Sequence, residues 1–486
     1  MADEFVEVST DIRTEQPASR QDAGDEGYAK NLAPRHVGMI AIGGAIGTGL
    51  LLGAGGKLLV AGPGLALSYA VAGFFAYLVV RALGELTLHR PSSGSFVSYA
   101  REFLGERGAY IAGWMYVLNW STTGMADSTA VALYVHYWGQ FRNVPQWLLA
   151  LSALIVVLAI NLVSVRLFGE IEFWFALIKV TAILGFLLIG GWLLSSGHPV
   201  GTATPGLNLI KNNGGFFPLG ILPVFAVFQS VVFAYAGVEM VGITAGETKD
   251  PGAVVPRAVR SVTWRIGLFY VGSVLMLSVL LPWNRYSASE SPFVTVLSKI
   301  GLPGAGGIMN LVVLTAAMSS LNSGFYSSGR VLRSMASAGS APRFAASMNA
   351  RHVPYGGVLL TCGIATLGVG LNAWLPGQAF DIVVNFASLG VITAWVIIML
   401  CHLVFVRRTR QGAPGAGPRR PAFRLGGWPW VNVITIVFLL AVVVDMGIDG
   451  GATGAWTVAA IPIIALVLAV GWRAARRRVA AAGPGS

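Results

Sequence analysis

The first apolar segment of the chain contains the run Ile42-Gly43-Gly44-Ala45-Ile46-Gly47-Thr48-Gly49, with four glycines in seven residues. A glycine inside a helix costs about 1 kcal/mol relative to alanine, so the run predicts an interrupted helix. If the segment crosses a membrane, unwound backbone is tolerated only inside protein or beside a cavity. The N–H groups of the half-helix that follows would then form a site for an anion such as a carboxylate. Close helix packing through small residues is an alternative explanation of the same glycines.

A second interrupted segment lies 190 residues further along the chain. It reads Val232-Phe233-Ala234-Tyr235-Ala236-Gly237-Val238-Glu239-Met240, with a glycine and an ionisable group inside an apolar run. Two broken helices in corresponding places indicate an inverted-repeat transporter with a site near the bilayer midplane. Unwound carbonyls of the second segment would face N–H groups of the first, so the pair suits a zwitterion. The pattern therefore predicts an amino acid as substrate.

Composition assigns the whole chain to the membrane proteins. Of 486 residues, 55% are hydrophobic and only 11% are charged, whereas soluble proteins carry about 25% charged residues. The two cysteines, Cys362 and Cys401, lie in apolar runs, which excludes a disulfide scaffold and a cysteine-rich metal site. No Walker loop or metalloprotease motif is present. The sequence therefore predicts neither an enzyme nor a metal site.

Apolar stretches near the 20 or so residues that span a bilayer recur along the chain. Their residues are apolar on every face, as in helices, instead of alternating as in the strands of a membrane barrel. The sequence predicts an all-α membrane protein with twelve transmembrane helices. The predicted spans are 36–60, 63–83, 108–138, 146–165, 173–194, 216–245, 262–282, 303–335, 355–373, 378–405, 429–447 and 453–472.

The distribution of basic residues predicts the orientation. An even number of spans puts both termini on one side, which carries 27 of the 33 Lys and Arg, against 5 on the other side and Lys179 within a span. By the positive-inside rule, both termini are cytoplasmic. The predicted domains are a polar tail (1–35), a transport core with two repeats (36–194 and 216–405), two further helices (429–472) and a basic tail (473–486).

Several stretches carry a resemblance to a known family. The run from Met39 to Gly49, Arg81 to Leu86, Val232 to Glu239 and Ala245 to Pro251 resembles the bacterial amino acid permeases of the amino acid–polyamine–organocation superfamily. A closer similarity is to the members that carry L-asparagine. It lies in His89 to Glu106, Glu172 to Val180 and Ser291 to Thr295.

This resemblance implies a LeuT-like core of five plus five helices with discontinuous helices 1 and 6, plus two extra helices. It further implies import of L-asparagine across the plasma membrane by proton symport and alternating access, without a cofactor other than the coupling proton. The backbone of Ile46, Gly47, Thr48 and Gly49 would hold the substrate carboxylate. Carbonyls near Phe233, Ala234 and Ala236 would hold its ammonium group. Alternatives are a broader neutral amino acid or aspartate transporter or exchanger of the same family, and a non-transporting amino acid receptor.

Charged and polar residues within the spans are further candidates, because burying a charge in a bilayer is costly. Glu239 follows the second break and would bind protons or sense pH; its alternative role is to cap backbone amides. Asp127 and Gln229 would line the substrate site or serve as interhelical hydrogen bonds. Ser319 and Ser320 resemble the region that binds an ion in sodium-coupled relatives, and packing is the alternative.

Lys179 is the only Lys or Arg deep within a span. Snorkelling of its long side chain to the interface is one explanation. A lysine buried in a helix bundle can instead gain and lose a proton during a transport cycle. The resemblance implies that it couples transport to protons, facing Gly43 or Gly44 of the first helix and Ser319 or Ser320 of the eighth. Glu85 and Arg81 fall near a predicted cytoplasmic end, where solvated or snorkelling charges that set the orientation are expected, and a cytoplasmic gate is the alternative.

Overall fold

The computed structural model describes residue 39 and residues 46–92, 94–245, 250–412, 420–448 and 451–482. Regular structure within these ranges is helical, apart from an isolated bridge between Val200 and Ala203. The all-α prediction is confirmed. The polar tail, Gly43 and Gly44 lie outside the described residues, as do the last four residues of the chain.

The α-helices differ greatly in length, because glycine, proline and non-helical backbone divide several of the predicted spans. They are α1 (Thr48–Leu51), α2 (Gly53–Ala61), α3 (Leu65–His89), α4 (Ser95–His136), α5 (Gln146–Val163), α6 (Val165–Ser196), α7 (Asn208–Asn212), α8 (Leu222–Ala226), α9 (Phe228–Ala234), α10 (Met240–Ala245), α11 (Pro251–Trp264), α12 (Ser273–Leu280), α13 (Pro292–Ser298), α14 (Ala305–Ser337), α15 (Tyr355–Ala365), α16 (Leu367–Trp374), α17 (Ala379–Arg410), α18 (Trp430–Ile448), α19 (Gly451–Ala459) and α20 (Ile461–Ala482). Short 3₁₀ turns cover Gly62–Gly64, Gly139–Phe141, Trp283–Arg285 and Arg343–Ala346, and a π-helix covers Arg265–Gly272.

Nine helical segments of the described chain are long and apolar enough to cross a membrane. Length and composition therefore do not confirm the predicted count of twelve. The third predicted span lies in α4, which carries many polar residues, and the sixth is divided among α8, α9 and α10. The first is broken and only partly described. The first, third and sixth predicted spans are thus the ones that differ most from a continuous helix of apolar residues.

Both predicted interruptions are visible in the backbone. Gly47 is extended, with φ −123° and ψ −162°, and helix begins at Thr48. In the sixth span, helix ends at Ala234 and resumes at Met240, and Gly237 between them has a φ of +93°. That left-handed conformation favours glycine, since a Cβ would clash with the backbone. Discontinuous helices 1 and 6 are thus confirmed within the described chain.

The two breaks lie in the middle of the helix bundle. The short helix α1 packs against α9, α14 and α4, and the long helix α17 packs along α4 and α9. Peripheral helices instead present apolar side chains outward, such as Trp174 and Leu188 of α6, at 58% and 76% exposure. Apolar outer faces are what a bilayer requires. The chain is therefore a multi-pass membrane protein with its irregular backbone inside the protein.

Candidate functional site

A small cavity lies between the two interrupted helices. Its volume is about 10 Å³, which is room for about one water molecule. The residues that line it are Gly47, Thr48, Gly49, Trp120, Thr123, Phe233, Ala234, Ala236 and Ser320. An amino acid is much larger than one water, so the surrounding helices must separate before such a molecule can enter.

Most of the predicted binding backbone borders this cavity. On one side are Gly47, Thr48 and Gly49, at the start of α1, where first-turn N–H groups have no acceptor within the helix. On the other side are Ala234 and Ala236, at the break of the sixth span. Donors and acceptors of the main chain thus face each other across the space. Whether they bind a zwitterion remains a prediction.

The carbonyls of the second break already accept hydrogen bonds within the protein. The Tyr270 hydroxyl donates to the Ala234 carbonyl at 3.1 Å, and the Ala236 N–H donates to the Phe233 carbonyl at 2.9 Å. A carbonyl oxygen has two lone pairs, so it can accept two bonds. The Phe233 carbonyl also accepts from the Tyr235 N–H, so the Ala234 carbonyl is the one of the two that retains the capacity to bind an ammonium group.

Gly47 and Gly49 have different surroundings. A Cβ at Gly49 would lie 2.5 Å from the Ala234 Cα, so this glycine permits backbone contact between α1 and α9. A Cβ at Gly47 would meet only the Ser320 side chain, with its Oγ at 3.2 Å. Close packing thus explains Gly49, whereas Gly47 combines extended backbone with a position on the cavity. Of the two explanations of the glycine run, close helix packing therefore applies to Gly49, and unwound backbone beside a binding site applies to Gly47.

Asp127 lies directly behind the cavity wall. The Thr48 hydroxyl donates a hydrogen bond of 2.7 Å to Asp127 Oδ1, and the carboxylate is fully buried in α4. Ser320, on α14, also faces this carboxylate. Thr48 is the donor of this bond, and the Asp127 oxygen is its acceptor. The oxygen lone pairs of Thr48 are then left to accept a bond from elsewhere.

Lys179 is fully buried and does not snorkel. Its Nζ donates to the Ile46 carbonyl at 3.2 Å and to Ser319 Oγ at 2.8 Å, which joins α6 to the first break and to α14. These are the two helices that the sequence predicts as its neighbours, with Ser319 as the serine in contact. Ile46, predicted to help bind the substrate carboxylate, contacts Lys179 and is not among the described residues that line the cavity.

The remaining predicted residues lie away from the cavity lining. Glu239 is buried, and its two carboxylate oxygens accept from the Gly237 N–H at 3.1 and 3.2 Å, which is the geometry of the capping alternative. Gln229 Oε1 and its carbonyl accept from Ser388 on α17. Neither is among the described residues that line the cavity. The interhelical explanation accounts for Gln229 in this conformation.

Several residues at the site were not predicted. Trp120 and Thr123 complete the cavity lining, and Glu172 accepts a 2.6 Å bond from Ser319. Seven residues, or about two helical turns, separate Glu172 from Lys179, so the spacing could have revealed this shared face. A sequence pattern for Trp120 and Thr123 is lacking, because their position depends on how α4 packs against the two breaks.

Three buried tyrosines fasten the breaks to neighbouring helices. Tyr235 donates to the Tyr69 carbonyl at 2.7 Å, Tyr270 donates to Ala234, and Tyr69 donates to the Gly49 carbonyl at 3.3 Å. Tyr270 belongs to the π-helix, a form that is frequent at functional sites. Two of the three acceptors, the carbonyls of Gly49 and Ala234, belong to the broken helices, and no pattern in the sequence indicates this cluster.

The expectation of a solvated or snorkelling Glu85 is wrong, and the alternative of a cytoplasmic gate stays a prediction. This carboxylate is completely buried and forms a bidentate pair with Arg420, at 2.6 and 2.9 Å. It also accepts from the Leu425 N–H at 2.8 Å and lies 3.0 Å from His402 Nε2. Arg81 stacks on Phe423, 3.8 Å from the ring centre. The segment after α17 folds back over the end of α3 and excludes water from it.

Comparison with known proteins identifies the family. The amino acid permease family matches residues 36–481. L-asparagine permease of Streptomyces coelicolor is 63% identical over 459 residues, covering 94% of this chain and 93% of that protein. L-asparagine permease of Escherichia coli K12 is 55% identical, covering 97% and 94%. L-asparagine permease 1 of Mycobacterium tuberculosis H37Rv is 55% identical, covering 94% and 93%. The chain therefore belongs to the amino acid permease family, whose members are transporters and not enzymes.

Proposed function

We propose that this protein imports L-asparagine across the plasma membrane, together with protons, by alternating access. The observation that carries the proposal is the cavity between the two broken helices, with main-chain donors on one side and carbonyls on the other. Relatives of 63% and 55% identity are named L-asparagine permeases, which supports the choice of substrate. The uneven distribution of Lys and Arg supports cytoplasmic termini.

The hydrogen bond between Thr48 and Asp127 supports an amide over an acid. Because Thr48 donates its proton to Asp127, it presents lone pairs towards the cavity that it lines. The side-chain amide of asparagine has N–H donors that match these lone pairs. The carboxylate of aspartate has only acceptors and would also be repelled by the nearby Asp127. The site thus favours asparagine through an unfavourable contact with its closest competitor.

Lys179 supports proton coupling. It is a fully buried cation that ties the first break to α14 through Ile46 and Ser319. Protonated, the ammonium holds the two elements together; deprotonated, it has fewer hydrogens to donate and holds them less strongly. A change of protonation would therefore alter the packing of the helices that enclose the substrate. The coupling ion would be the proton, with no other cofactor.

Counterflow of labelled asparagine into liposomes that contain purified protein tests this function. A carrier trades labelled for unlabelled substrate across the membrane, whereas a receptor does not. We expect unlabelled L-asparagine to compete best in a screen of the common amino acids, with aspartate much weaker. Equal competition by several neutral amino acids would favour the broader transporter. Effective competition by aspartate would contradict the argument from Asp127.

A further inference from the structure

A second buried charge lies beside Lys179 and has no part in the cavity. Glu172 and Lys179 are both on α6, two helical turns apart on one face, and both side chains have 0% exposure. Glu172 Oε1 lies 4.0 Å from Lys179 Nζ. Burying two charges in an apolar bundle is costly unless they are paired and hydrogen-bonded. The burial of both Glu172 and Lys179 therefore needs a partner that links them or a role in function.

The hydroxyl of Ser319 connects the two charges. Lys179 Nζ donates to Ser319 Oγ at 2.8 Å, and Ser319 Oγ donates to Glu172 Oε1 at 2.6 Å. The two bonds run in one direction, from the ammonium through the hydroxyl to the carboxylate. Both distances lie within the normal range for hydrogen bonds of their type. The three side chains thus form a continuous chain of hydrogen bonds between α6 and α14.

We propose that Glu172 takes up the proton that Lys179 releases, by transfer through Ser319. An N–H bond of Lys179 breaks as an O–H bond forms on Ser319 Oγ, and the original Ser319 O–H bond breaks as one forms on Glu172 Oε1. The ion pair becomes a neutral amine and a neutral carboxylic acid, with no change in the net charge of the site. This proposal rests on proton coupling through Lys179, as proposed above.

The surroundings of Glu172 supply a direction for the proton. One turn before it on α6, Phe168 stacks on Tyr326 of α14, with ring centres 3.9 Å apart. The same two residues line a second cavity of about 10 Å³, together with Ser164 and Arg330. This cavity lies towards the start of α6, the end predicted to be cytoplasmic. Glu172 is therefore placed between Lys179 and that end, with the stacked rings as a barrier.

The other charged groups nearby leave Glu172 as the acceptor. Asp127 of α4 also acts electrostatically on Lys179, but its hydrogen-bond partners, Thr48 and Ser320, both line the substrate cavity. Arg330 lines the second cavity and cannot accept a proton, because its guanidinium remains charged. A proton that passed to Asp127 would stay beside the substrate site. Transfer through Ser319 to Glu172 instead moves the proton away from the substrate site.

The test compares purified wild type with Glu172→Gln, Ser319→Ala and Lys179→Gln in liposomes. Asparagine counterflow at equal pH reports folding and substrate exchange, and a trapped pH dye reports asparagine-driven proton movement. Ser319→Ala keeps both charges and removes only the connecting hydroxyl. It therefore provides a second test of proton transfer if Glu172→Gln fails to fold. Glu170→Gln makes the same chemical change two residues away on α6 and is the matched control.

We expect Glu172→Gln and Ser319→Ala to lose asparagine-driven proton movement by at least about tenfold relative to their own counterflow, as when a positioned proton acceptor is removed. Their uptake should also become insensitive to pH, which a purely structural ion pair would not cause. Wild-type proton movement in either variant, with its loss in Lys179→Gln, would overturn this inference alone. Absence of asparagine-driven proton movement in the wild type would overturn the proposed coupling itself.

Discussion

Thr48 and Asp127 form a buried hydrogen bond of 2.7 Å that joins the first broken helix to α4. In this bond the Thr48 hydroxyl is the donor and the Asp127 carboxylate oxygen is the acceptor. It fixes how Thr48 presents its oxygen to the cavity. Asp127 would then set the selectivity between an amide and an acid without contacting the substrate, through its hydrogen bond to Thr48.

Replacing Asp127 by Asn should therefore change selectivity. The new amide can donate to Thr48, which frees the Thr48 proton to point into the cavity and removes a negative charge. A hydrogen bond to a charged group contributes about 1.5–3 kcal/mol, or about 10- to 150-fold in affinity. We expect the preference for asparagine over aspartate to fall by at least about tenfold, measured by competition for counterflow.

The control for this change is Thr123→Val, which alters a cavity residue whose side chain donates to Asn119 and not to Asp127. It should lower affinity for both amino acids without changing their ratio. An Asp127→Asn protein with the wild-type ratio would show that Asp127 only fastens α1 to α4.

The two glycines at the cavity should respond differently to alanine. At Gly49 the added Cβ would lie 2.5 Å from the Ala234 Cα, and overpacking of this kind costs about 1–3 kcal/mol. Gly49→Ala should therefore lower the unfolding temperature in detergent. Gly47→Ala meets only the movable Ser320 side chain and should keep the unfolding temperature while weakening asparagine binding.

Ala234→Gly provides a check on the Gly49 result. It removes a Cβ but leaves the Cα that the new methyl group would meet, so it should not restore the stability of Gly49→Ala. Full rescue would mean that side-chain contact, and not backbone contact, limits the space. Loss of stability in Gly47→Ala with normal binding would return both glycines to a packing role.

The broken helices could be predicted because their causes are local. Glycine runs disfavour helix wherever they occur, and Gly237 adopts a positive φ that its neighbours cannot easily share. Lys179 could be predicted because a lone cation in an apolar run is conspicuous in the sequence. These features needed no knowledge of how helices pack.

Glu172, Trp120 and the tyrosine cluster could not be found in this way. Their roles depend on distant partners, as when Ser319 approaches Glu172 across 147 residues of sequence. Glu85 was misjudged because its position near a helix end suggested solvent, whereas a segment 340 residues later covers it. Pairings of this kind are decided by tertiary packing, which one sequence does not display.

A salt bridge between α2 and α17, at the end of the bundle opposite to Glu85, should affect the rate of substrate exchange across the membrane. Lys57 Nζ of α2 lies 3.6 Å from Asp381 Oδ1 of α17, and the side chains are 21% and 52% exposed. Exposed pairs contribute about 0–1 kcal/mol, so Lys57→Gln should speed counterflow by no more than about fivefold. High salt should reduce the difference from wild type. Lys299 is exposed and forms no ion pair with any residue that the structure describes, so Lys299→Gln should change the rate less. An equal effect would indicate a change in surface charge alone.

The pair of Glu85 and Arg420 should contribute far more to stability than an exposed pair. Removing one partner of a buried ion pair costs about 3–5 kcal/mol, and Arg420 keeps 14% exposure, which places the expected cost at the lower end. Glu85→Gln also weakens the acceptor for Leu425, so the segment after α17 should loosen together with the pair. We expect a marked fall in the unfolding temperature in detergent.

Glu106→Gln is the control. It breaks a more exposed pair with Arg101 and should change the unfolding temperature little. Equal effects of the two substitutions would show that the segment over α3 is held by its apolar contacts, such as Phe423, and not by Glu85.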